Sequence, residues 1–299
     1  MNLRQLEYFL AIAEEGSFSR AAERLRVAQP SLSQQVRVLE AELGGALLER
    51  MPRGVRLTMA GQSFLVEARA TVNHAERARR SVRMALGLEA GRLEIAAVTS
   101  VTAGILPPVL KRWQELHPSI EVSLSEYSHR RLLDEGVREG DADMAVGPPP
   151  ADWDGAIEPL GWEELVLVLP EGDPMLGKRS VDLASLAERR WVHFARGHGL
   201  AELLDRQCAA AGFAPRIAIR TSQVAAAPLF AACGIGPTLV PHHIVPDGFA
   251  KLARPATPRL IRPVVAFTRR DWSPVSTAFL ELLGEYPWLR KPRGATNLG

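Results

Sequence analysis

Between Gly61 and Gly87 the sequence contains neither glycine nor proline, so this stretch predicts one long uninterrupted helix. A chain of 299 residues is also too long for a single ordinary hydrophobic core. We therefore expect the helix to connect separately folded parts: a domain of residues 1–59, a linker of residues 60–90 and a domain of residues 91–299.

The composition is that of a water-soluble folded protein, with 46% hydrophobic and 23% charged residues. Residues 1–90 carry thirteen Arg and ten Glu without any Lys or Asp, an excess too small to predict nucleic-acid binding by itself. No stretch is long and apolar enough to span a bilayer, and the N-terminus does not have the pattern of a signal peptide. We expect a cytoplasmic protein without a membrane partner.

The first domain begins with three short helical patterns. Apolar residues recur at steps of three and four from Leu3 and stop at Gly16, and Ser17 is suited to cap a second helix that contains a pair of alanines. A third helix is predicted over 29–43, with Gly44 as its stop. Three helices in this order are typical of a helix-turn-helix domain.

The third helix has two different sides. Leu32, Val36, Leu39 and Leu43 form the stripe that we expect to be buried, and the opposite side carries polar residues that can reach base edges or phosphates. A merely solvated face usually contains Glu and Lys, whereas this face has no acid before Glu40. We therefore predict a DNA-recognition helix. The predicted DNA-contacting residues on it are Gln29, Pro30, Ser31, Ser33, Gln34 and Arg37.

A strand-turn-strand pattern over 49–58 follows the third helix, with basic residues near its tip. This pattern predicts the wing of a winged helix-turn-helix. We expect Arg50 and Arg53 to lie beside the phosphate backbone of double-stranded DNA.

Taken together, several short motifs in this region are specific. They are Gly16-Ser17-Phe18 with Ala21-Ala22, Gln29-Pro30 with Ser33, Leu39-Glu40 with Leu43-Gly44, Leu48-Glu49-Arg50, and Leu57-Thr58 with Ala60-Gly61. This set resembles the signature of the LysR-type transcriptional regulators, and the match runs without gaps over residues 1–61. Two positions depart from the family pattern: Ala28 replaces a frequent Ser or Thr, which removes a helix cap or a phosphate contact, and Leu48 replaces a frequent Phe.

The resemblance implies that the third helix enters the major groove and that the wing contacts the backbone or minor groove. It also implies a homodimer, commonly paired into a homotetramer, and it allows RNA polymerase as a partner. Along one side of the long helix, mainly apolar residues recur at alternating spacings of four and three, and we call this row the seam. The seam packs either on its own domain or against a second copy of the chain. We expect the second arrangement, because one helix-turn-helix reads only one half-site. The seam is Leu65, Ala68, Val72, Ala75, Arg79, Val82 and Leu86.

Beyond Gly91 strands and helices alternate, which predicts parallel α/β units. The predicted strands are 93–98, 121–126, 144–146, 165–169 and 191–194, and the predicted helices are 103–117, 130–139, 200–211, 224–233 and 273–285. The segment 231–241 again resembles the LysR family, whose sensor is a two-lobed α/β fold similar to periplasmic binding proteins. The resemblance implies a first lobe of residues 91–160 and 265–299 and a second lobe of residues 161–264.

In open α/β sheets, ligands bind beyond the carboxyl ends of strands, where helix N-termini offer free N–H groups. We therefore predict a small-molecule effector site from the residues that follow the strands. These residues are Ser100, Val101, Thr102, Ser128, His129, Arg196, Ser222 and Gln223. Ser100 and Ser128 match positions where the family commonly binds an inducer carboxylate, and Arg196 either pairs with an anion or forms a surface ion pair. The expected effector is a small anion, although a regulator without an effector remains an alternative.

Other protein classes fit the sequence less well. The chain has no G-x-S-x-G elbow, phosphate loop or H-E-x-x-H motif, so we expect neither catalysis nor a cofactor. His242-His243 lacks further ligands at metal spacing, so no metal site is expected. A solute-binding protein, the second alternative, would share the sensor fold but would have no use for the first sixty residues.

Two further features carry no predicted function. Cys208 and Cys233 fall in helical patterns, which favours buried reduced thiols over a redox pair. Residues 290–299, with Pro292, Gly294 and Gly299, predict a loose tail.

Overall fold

The computed structural model describes residues 1–51, 54–85, 91–292 and 294–298. The chain divides into two compact units, Met1–Glu89 with Arg138–Asp141, and Ala90–Val137 with Ala142–Gly299. The first unit has one hydrophobic core, and the second unit has two. Among the helices of the described ranges, none is both long and apolar enough to cross a membrane.

The first unit is a helical domain with a β-hairpin. Its elements are α1 (Leu3–Glu15), α2 (Phe18–Arg24), α3 (Gln29–Leu43), β1 (Leu48–Met51), β2 (Gly54–Leu57) and α4 (Met59–Ala85). The predicted start and stop signals are confirmed: Ser17 caps α2, and Gly16 and Gly44 end α1 and α3 in the left-handed conformation. Strands β1 and β2 pair antiparallel, with Leu48 opposite Leu57.

The core of this unit is formed where α1, α2 and α3 meet, around Phe9, Ile12 and Leu32. Two residues of α3 differ from the sequence prediction. Ser33 belongs to the buried side of the helix, at 5% exposure, whereas Leu43 is 44% exposed. The chain turns away at Gly44, so the last residue of the predicted stripe has no core to cover.

The long helix α4 packs partly on its own unit. Ala68 is buried, and the half-buried Leu65 and Val72 pack against the same core. Val82 is exposed, and Leu86 lies outside the described residues. The first half of the seam therefore packs on its own unit, and pairing of the seam with a second copy stays a prediction.

The second unit is an α/β fold with a mixed sheet. Its elements are β3 (Arg92–Val98), α5 (Thr99–Gly104), α6 (Leu106–Leu116), β4 (Glu121–Tyr127), α7 (Arg130–Arg138), β5 (Met144–Gly147), β6 (Ile157–Val168), β7 (Val181–Asp182), β8 (Arg190–Phe194), α8 (Gly199–Ala210), β9 (Arg216–Thr221), α9 (Ala226–Ala232), β10 (Thr238–Pro241), β11 (Ala253–Phe267), α10 (Pro274–Glu285) and β12 (Thr296–Asn297). The main sheet has the order β10-β6-β11-β5-β3-β4, and β8 and β9 form a separate parallel pair.

Two hydrophobic cores identify two lobes in this unit. One core surrounds Ile95, Trp113 and Phe279, and the other surrounds Trp191 and Phe194. The long strands β6 and β11 run antiparallel through both lobes and contribute residues to each core. The fold is therefore the two-lobed α/β architecture that the sequence predicted.

Some elements differ from the prediction. The helix expected over 103–117 is divided into α5 and α6 near Ile105, because Pro107 has no N–H to continue the hydrogen bonding of α5. Five strands were not predicted: β7, β9, β10, β11 and β12. The tail is not loose throughout, because β12 pairs with β11. Cys208 is buried as expected, and burial raises its pKa to about 12, but Cys233 is exposed at the end of α9.

Candidate functional site

The predicted recognition helix carries a polar recess on its surface. The recess has a volume of about 340 Å³ and is lined by Gln29, Pro30, Ser33, Gln34 and Arg37. Gln34 and Arg37 are exposed, whereas Ser33 lies at the buried base of the recess. Ser31 is exposed but does not line it. The structure therefore brings five of the six predicted α3 residues into one surface feature.

Hydrogen bonds fix α3 to its neighbours. The Oε1 atom of Glu40 accepts from the backbone N–H groups of Leu47 (2.8 Å) and Leu48 (3.1 Å), which ties the first hairpin strand to the helix. The side chain of Gln5 in α1 donates to Oε1 of Gln35 at 3.3 Å. The start of α3 has no side-chain cap at Ala28, as the departure from the family pattern implied. Hydrogen bonds thus hold α3 near its middle, at Gln35, and in its C-terminal half, at Glu40.

The hairpin has the form of a wing. Across its two strands Arg56 donates to Glu49 at 2.7 Å, and the N–H of Val55 donates to the carbonyl of Gly16 at 3.0 Å, which joins the hairpin to α1. The backbone of Arg50 lies in β1, but its side chain and all of Arg53 lie outside the described residues.

A cleft of about 300 Å³ lies between the two lobes of the second unit. We call it the central cleft. It is lined by Val98, Thr99, Ser100, Ser128, His129, Arg130, Pro148, Pro149, Pro150, His198, Gly199, Leu200, Glu202, Leu203, Arg206, Arg262 and Leu298. Both lobes therefore contribute polar, apolar and cationic groups.

Three of the predicted effector residues line the central cleft: Ser100, Ser128 and His129. The other five lie elsewhere. Val101 is fully buried in the core of the first lobe, and Thr102 donates its hydroxyl to the carbonyl of Val98 at 3.2 Å. Arg196, Ser222 and Gln223 are exposed and do not line the cleft.

The central cleft is also lined by three arginines that were not predicted from the sequence. Arg130 begins α7, Arg206 lies in α8, and Arg262 lies in β11 where that strand passes between the lobes. In the part of the chain that the structure describes, neither Arg130 nor Arg206 has an ion-pair partner. Arg130 directly follows the predicted Ser128-His129, so its place just after a strand could have identified it as a residue of the effector site.

Arg262 differs because it is buried and paired. It contacts the carboxylate of Glu163, which also accepts a hydrogen bond of 2.7 Å from Nε2 of His243. Burial opposes ionisation of Glu163, but the charge of Arg262 and the hydrogen bond from His243 outweigh it and lower the pKa of Glu163 to about 2. At neutral pH the cleft therefore has a buried, partly neutralised guanidinium in its wall.

His198 is a neutral group in the cleft. Its Nδ1 accepts from the N–H of Leu200 at 3.1 Å as the cap of α8, and its Nε2 lies 3.3 Å from the hydroxyl of Thr99. Burial, together with the nearby Arg262 and His129, lowers the pKa of His198 to about 4. Nδ1 can accept a hydrogen bond only when it carries no proton, and a pKa of about 4 leaves the ring neutral at pH 7.

Contacts across the cleft connect the two lobes. The N–H of Gly199 donates to the carbonyl of Ser128 at 2.8 Å, and His129 contacts Glu202 at 3.1 Å. With the contact between His198 and Thr99, these interactions join the two lobes along the cleft. Groups of His, Cys, Asp and Glu that could hold a metal ion are absent from the described ranges.

These features define a class of protein. A winged helix-turn-helix unit with a polar recognition helix is built to contact DNA, and a two-lobed α/β unit with a cationic cleft is built to bind a small ligand. The combination is that of a transcription regulator with a ligand-binding domain.

Comparison with known proteins gives the family. Residues 3–62 match the model described as "Bacterial regulatory helix-turn-helix protein, lysR family", and residues 59–288 match "LysR substrate binding domain". The chain belongs to the LysR family of transcriptional regulators, so it is a DNA-binding regulator with an effector-binding domain.

The chain is similar to individual family members along most of its length. It is 35% identical to the HTH-type transcriptional regulator AlsR of Bacillus subtilis (strain 168) over 245 residues, which cover 81% of this chain and 80% of AlsR. It is 32% identical to the HTH-type transcriptional regulator ClcR of Pseudomonas putida, covering 95% of this chain and 98% of ClcR. The structure of full-length CbnR complexed with its target DNA is 28% identical, with a TM-score of 0.70, and covers 95% of this chain and 99% of that chain.

Proposed function

We propose that a small anion with an apolar body binds in the central cleft and modulates how this regulator binds DNA. The observation that carries the proposal is the set of arginines in the cleft wall. Arg130 and Arg206 have no ion-pair partner among the described residues, and Arg262, which is paired with Glu163, lines the same cleft. Cationic side chains that converge in a concave site favour a carboxylate or similar anion.

Apart from Glu202, whose carboxylate contacts His129 at 3.1 Å, the remaining lining supports both parts of this ligand. The hydroxyls of Ser100 and Ser128 can donate hydrogen bonds to an anion, and His198 adds no repelling or attracting charge because it is neutral. Leu200, Leu203 and three consecutive prolines supply apolar surface. The effector class that fits is a monocarboxylate or dicarboxylate small enough for a cleft of about 300 Å³.

The anion proposal predicts that charge decides binding. Small carboxylates such as acetate and benzoate should raise the thermal unfolding midpoint of the full chain, and the matching uncharged amides at equal ionic strength should not. Replacing Arg206 with glutamine should weaken carboxylate binding by roughly tenfold or more, because it removes a charge-assisted hydrogen bond. Isothermal titration calorimetry measures the loss.

Arg216→Gln is the matched control, because Arg216 is an exposed arginine of the same unit that pairs with Glu188 outside the cleft. Its carboxylate affinity should equal that of the wild type. Equal binding of carboxylates and amides, or an unchanged affinity in Arg206→Gln, would contradict the proposed effector class.

For DNA, we assign the major-groove contacts to the recess of α3 and the backbone contacts to the wing. Gln29, Gln34 and Arg37 carry groups that hydrogen-bond to base edges, and Arg50 and Arg53 carry the charge expected beside phosphates. The likeness to CbnR in its DNA complex supports this assignment. Ser31 is exposed on the first turn of α3 and is assigned to the phosphates, while the buried Ser33 contributes from the base of the recess.

We further propose that the regulator acts as a dimer or as a pair of dimers. Residues 1–59 would read DNA, residues 60–90 would connect and pair the subunits, and residues 91–299 would sense the effector. Ligand in the cleft would favour the closed arrangement of the lobes, and the difference in affinity between open and closed states would change the DNA-bound arrangement.

A further inference from the structure

The end of the described chain is an ordered part of the second unit. In β12, Thr296 pairs with Leu260 and Asn297 pairs with Ile261, both in the parallel direction. The N–H of Leu298 then donates to the carbonyl of Ile261 at 2.8 Å. These backbone contacts place residue 298 alongside Arg262, the next residue of β11.

Strand β12 occupies a particular place on β11. One edge of β11 is paired with β6, and the opposite edge is paired with β7 at Ala256 and Thr257 and with β5 from Val265 onward. Strand β12 fills the stretch between those two partners, where β11 passes from one lobe to the other. The segment is therefore held at the joint between the lobes rather than on an outer surface.

Leu298 itself has two roles in packing. It is half-buried, it packs against the hydrophobic core of the second lobe, and it also lines the central cleft. Its register beside Arg262 puts an apolar side chain next to a cationic one in the same wall. Asn297, the preceding residue on the strand, is exposed and does not line the cleft.

We infer that Leu298 is a specificity-determining residue of the effector site, and that it limits the length of the apolar body that the anion can carry. The inference rests on the proposed function, because it assumes that the anion binds in the central cleft. A leucine that already fills part of a cleft of about 300 Å³ stops a ligand from extending in that direction. Shortening the side chain opens that direction, and enlarging it closes more of the cleft.

A series of straight-chain carboxylates from acetate to octanoate tests this inference in the full chain, with calorimetry at fixed pH and ionic strength. In the wild type the affinity should rise roughly fourfold for each added methylene as long as the alkyl chain of the ligand contacts apolar surface. Beyond that length the affinity should stop rising. In Leu298→Ala the affinity should continue to rise for two or three further carbons. In Leu298→Phe it should stop earlier.

Asn297→Ala is the control on the same strand, because residue 297 is exposed and does not line the cleft. Its length dependence should match that of the wild type. A series that stops at the same carboxylate in the wild type and in Leu298→Ala would overturn the inference.

A second experiment needs no effector. Cysteine is introduced at position 298 or 297 in a Cys233→Ser background, where the remaining Cys208 is buried and has a raised pKa. Each protein is then treated with an anionic and with a cationic methanethiosulfonate reagent. For each position we take the ratio of the labelling rate with the anionic reagent to the rate with the cationic reagent. This ratio should be at least tenfold higher at position 298, beside Arg262 in the cleft, than at position 297.

The two experiments separate the two claims. If none of the carboxylates binds to the wild type, the anion proposal fails, and the labelling ratio still shows whether position 298 belongs to the cationic cleft. Equal ratios at positions 297 and 298 would overturn the placement of Leu298, whatever the carboxylates do.

Discussion

Replacing Glu163 with leucine should lower the free energy of unfolding of the second unit by about 3 to 5 kcal/mol. Glu163 is the buried partner of Arg262 and accepts a hydrogen bond from His243. Its loss leaves the buried guanidinium of Arg262 without its counter-charge. This lowers the free energy of unfolding by more than the apolar contacts of leucine raise it. Denaturant unfolding followed by tryptophan fluorescence measures the second unit alone, because all six tryptophans lie between Trp113 and Trp288.

Two further variants make this prediction specific. Glu171→Leu removes an exposed carboxylate that pairs with Lys251, and it should change stability by less than about 1 kcal/mol. Adding Arg262→Leu to Glu163→Leu should recover much of the loss, because no unpaired charge is then buried. A Glu163→Leu protein as stable as the wild type would show that the buried pair has no structural role.

The same cluster predicts a pH dependence. The pKa of Glu163 falls from 4.5 to about 2 on folding, so its ionised form contributes stability that is fully present above pH 4.5. That contribution should be lost as the pH falls from 4.5 towards about 2. The unfolding free energy of Glu163→Leu should lack this part of the acid dependence.

Replacing Gly61 with alanine should destabilise the first unit by about 3 kcal/mol or more and abolish DNA binding. A Cβ atom at position 61 would lie 2.0 Å from the carbonyl oxygen of Leu47. Neither side can move easily. The carbonyl of Leu47 accepts from Thr58 at 2.9 Å, the N–H of Leu47 donates to Glu40, and the N–H of Gly61 donates to the hydroxyl of Thr58.

Gly45→Ala is the matched control, because no atom lies within 4 Å of a Cβ at that position and its backbone is not left-handed. It should bind DNA as the wild type does. Far-ultraviolet circular dichroism and DNA affinity report on the first unit, while tryptophan fluorescence should show the second unit folded in both variants. Normal DNA binding by Gly61→Ala would contradict the packing of α4 against the Leu47 segment.

The sequence predicts the first unit well because its signals are local. The bounds of α3 follow from Pro30 in the first turn and from Gly44 at the end, and the cap at Ser17 and the stop at Gly16 need no distant residue. Ser33 is the exception. Helical periodicity places it beside both the polar and the apolar side of α3, and only the packing of the neighbouring helices shows that it is buried.

The central cleft is less predictable because it depends on pairing between distant strands. Ser100, Ser128 and His129 follow β3 and β4, which lie side by side, so the argument from strand ends finds them. Arg196 and Ser222 follow β8 and β9, which form a separate sheet, and neither residue lines the central cleft. Arg262 lies in the middle of β11, and Leu298 lies in a segment whose sequence has no strand pattern. Only the pairing of β12 with β11 brings these two residues together.

Selection of random duplex DNA by the purified full chain, followed by sequencing of the retained DNA, tests the central claim most directly. A regulator that pairs two recognition helices should enrich a two-fold pattern whose half-sites are about one helical turn apart, or a multiple of it. Gln29→Ala should retain the spacing and lose base preference at a corresponding position in each half-site. Failure of the wild type to enrich any sequence at low salt would contradict the assignment of the first unit as a reader of DNA sequence.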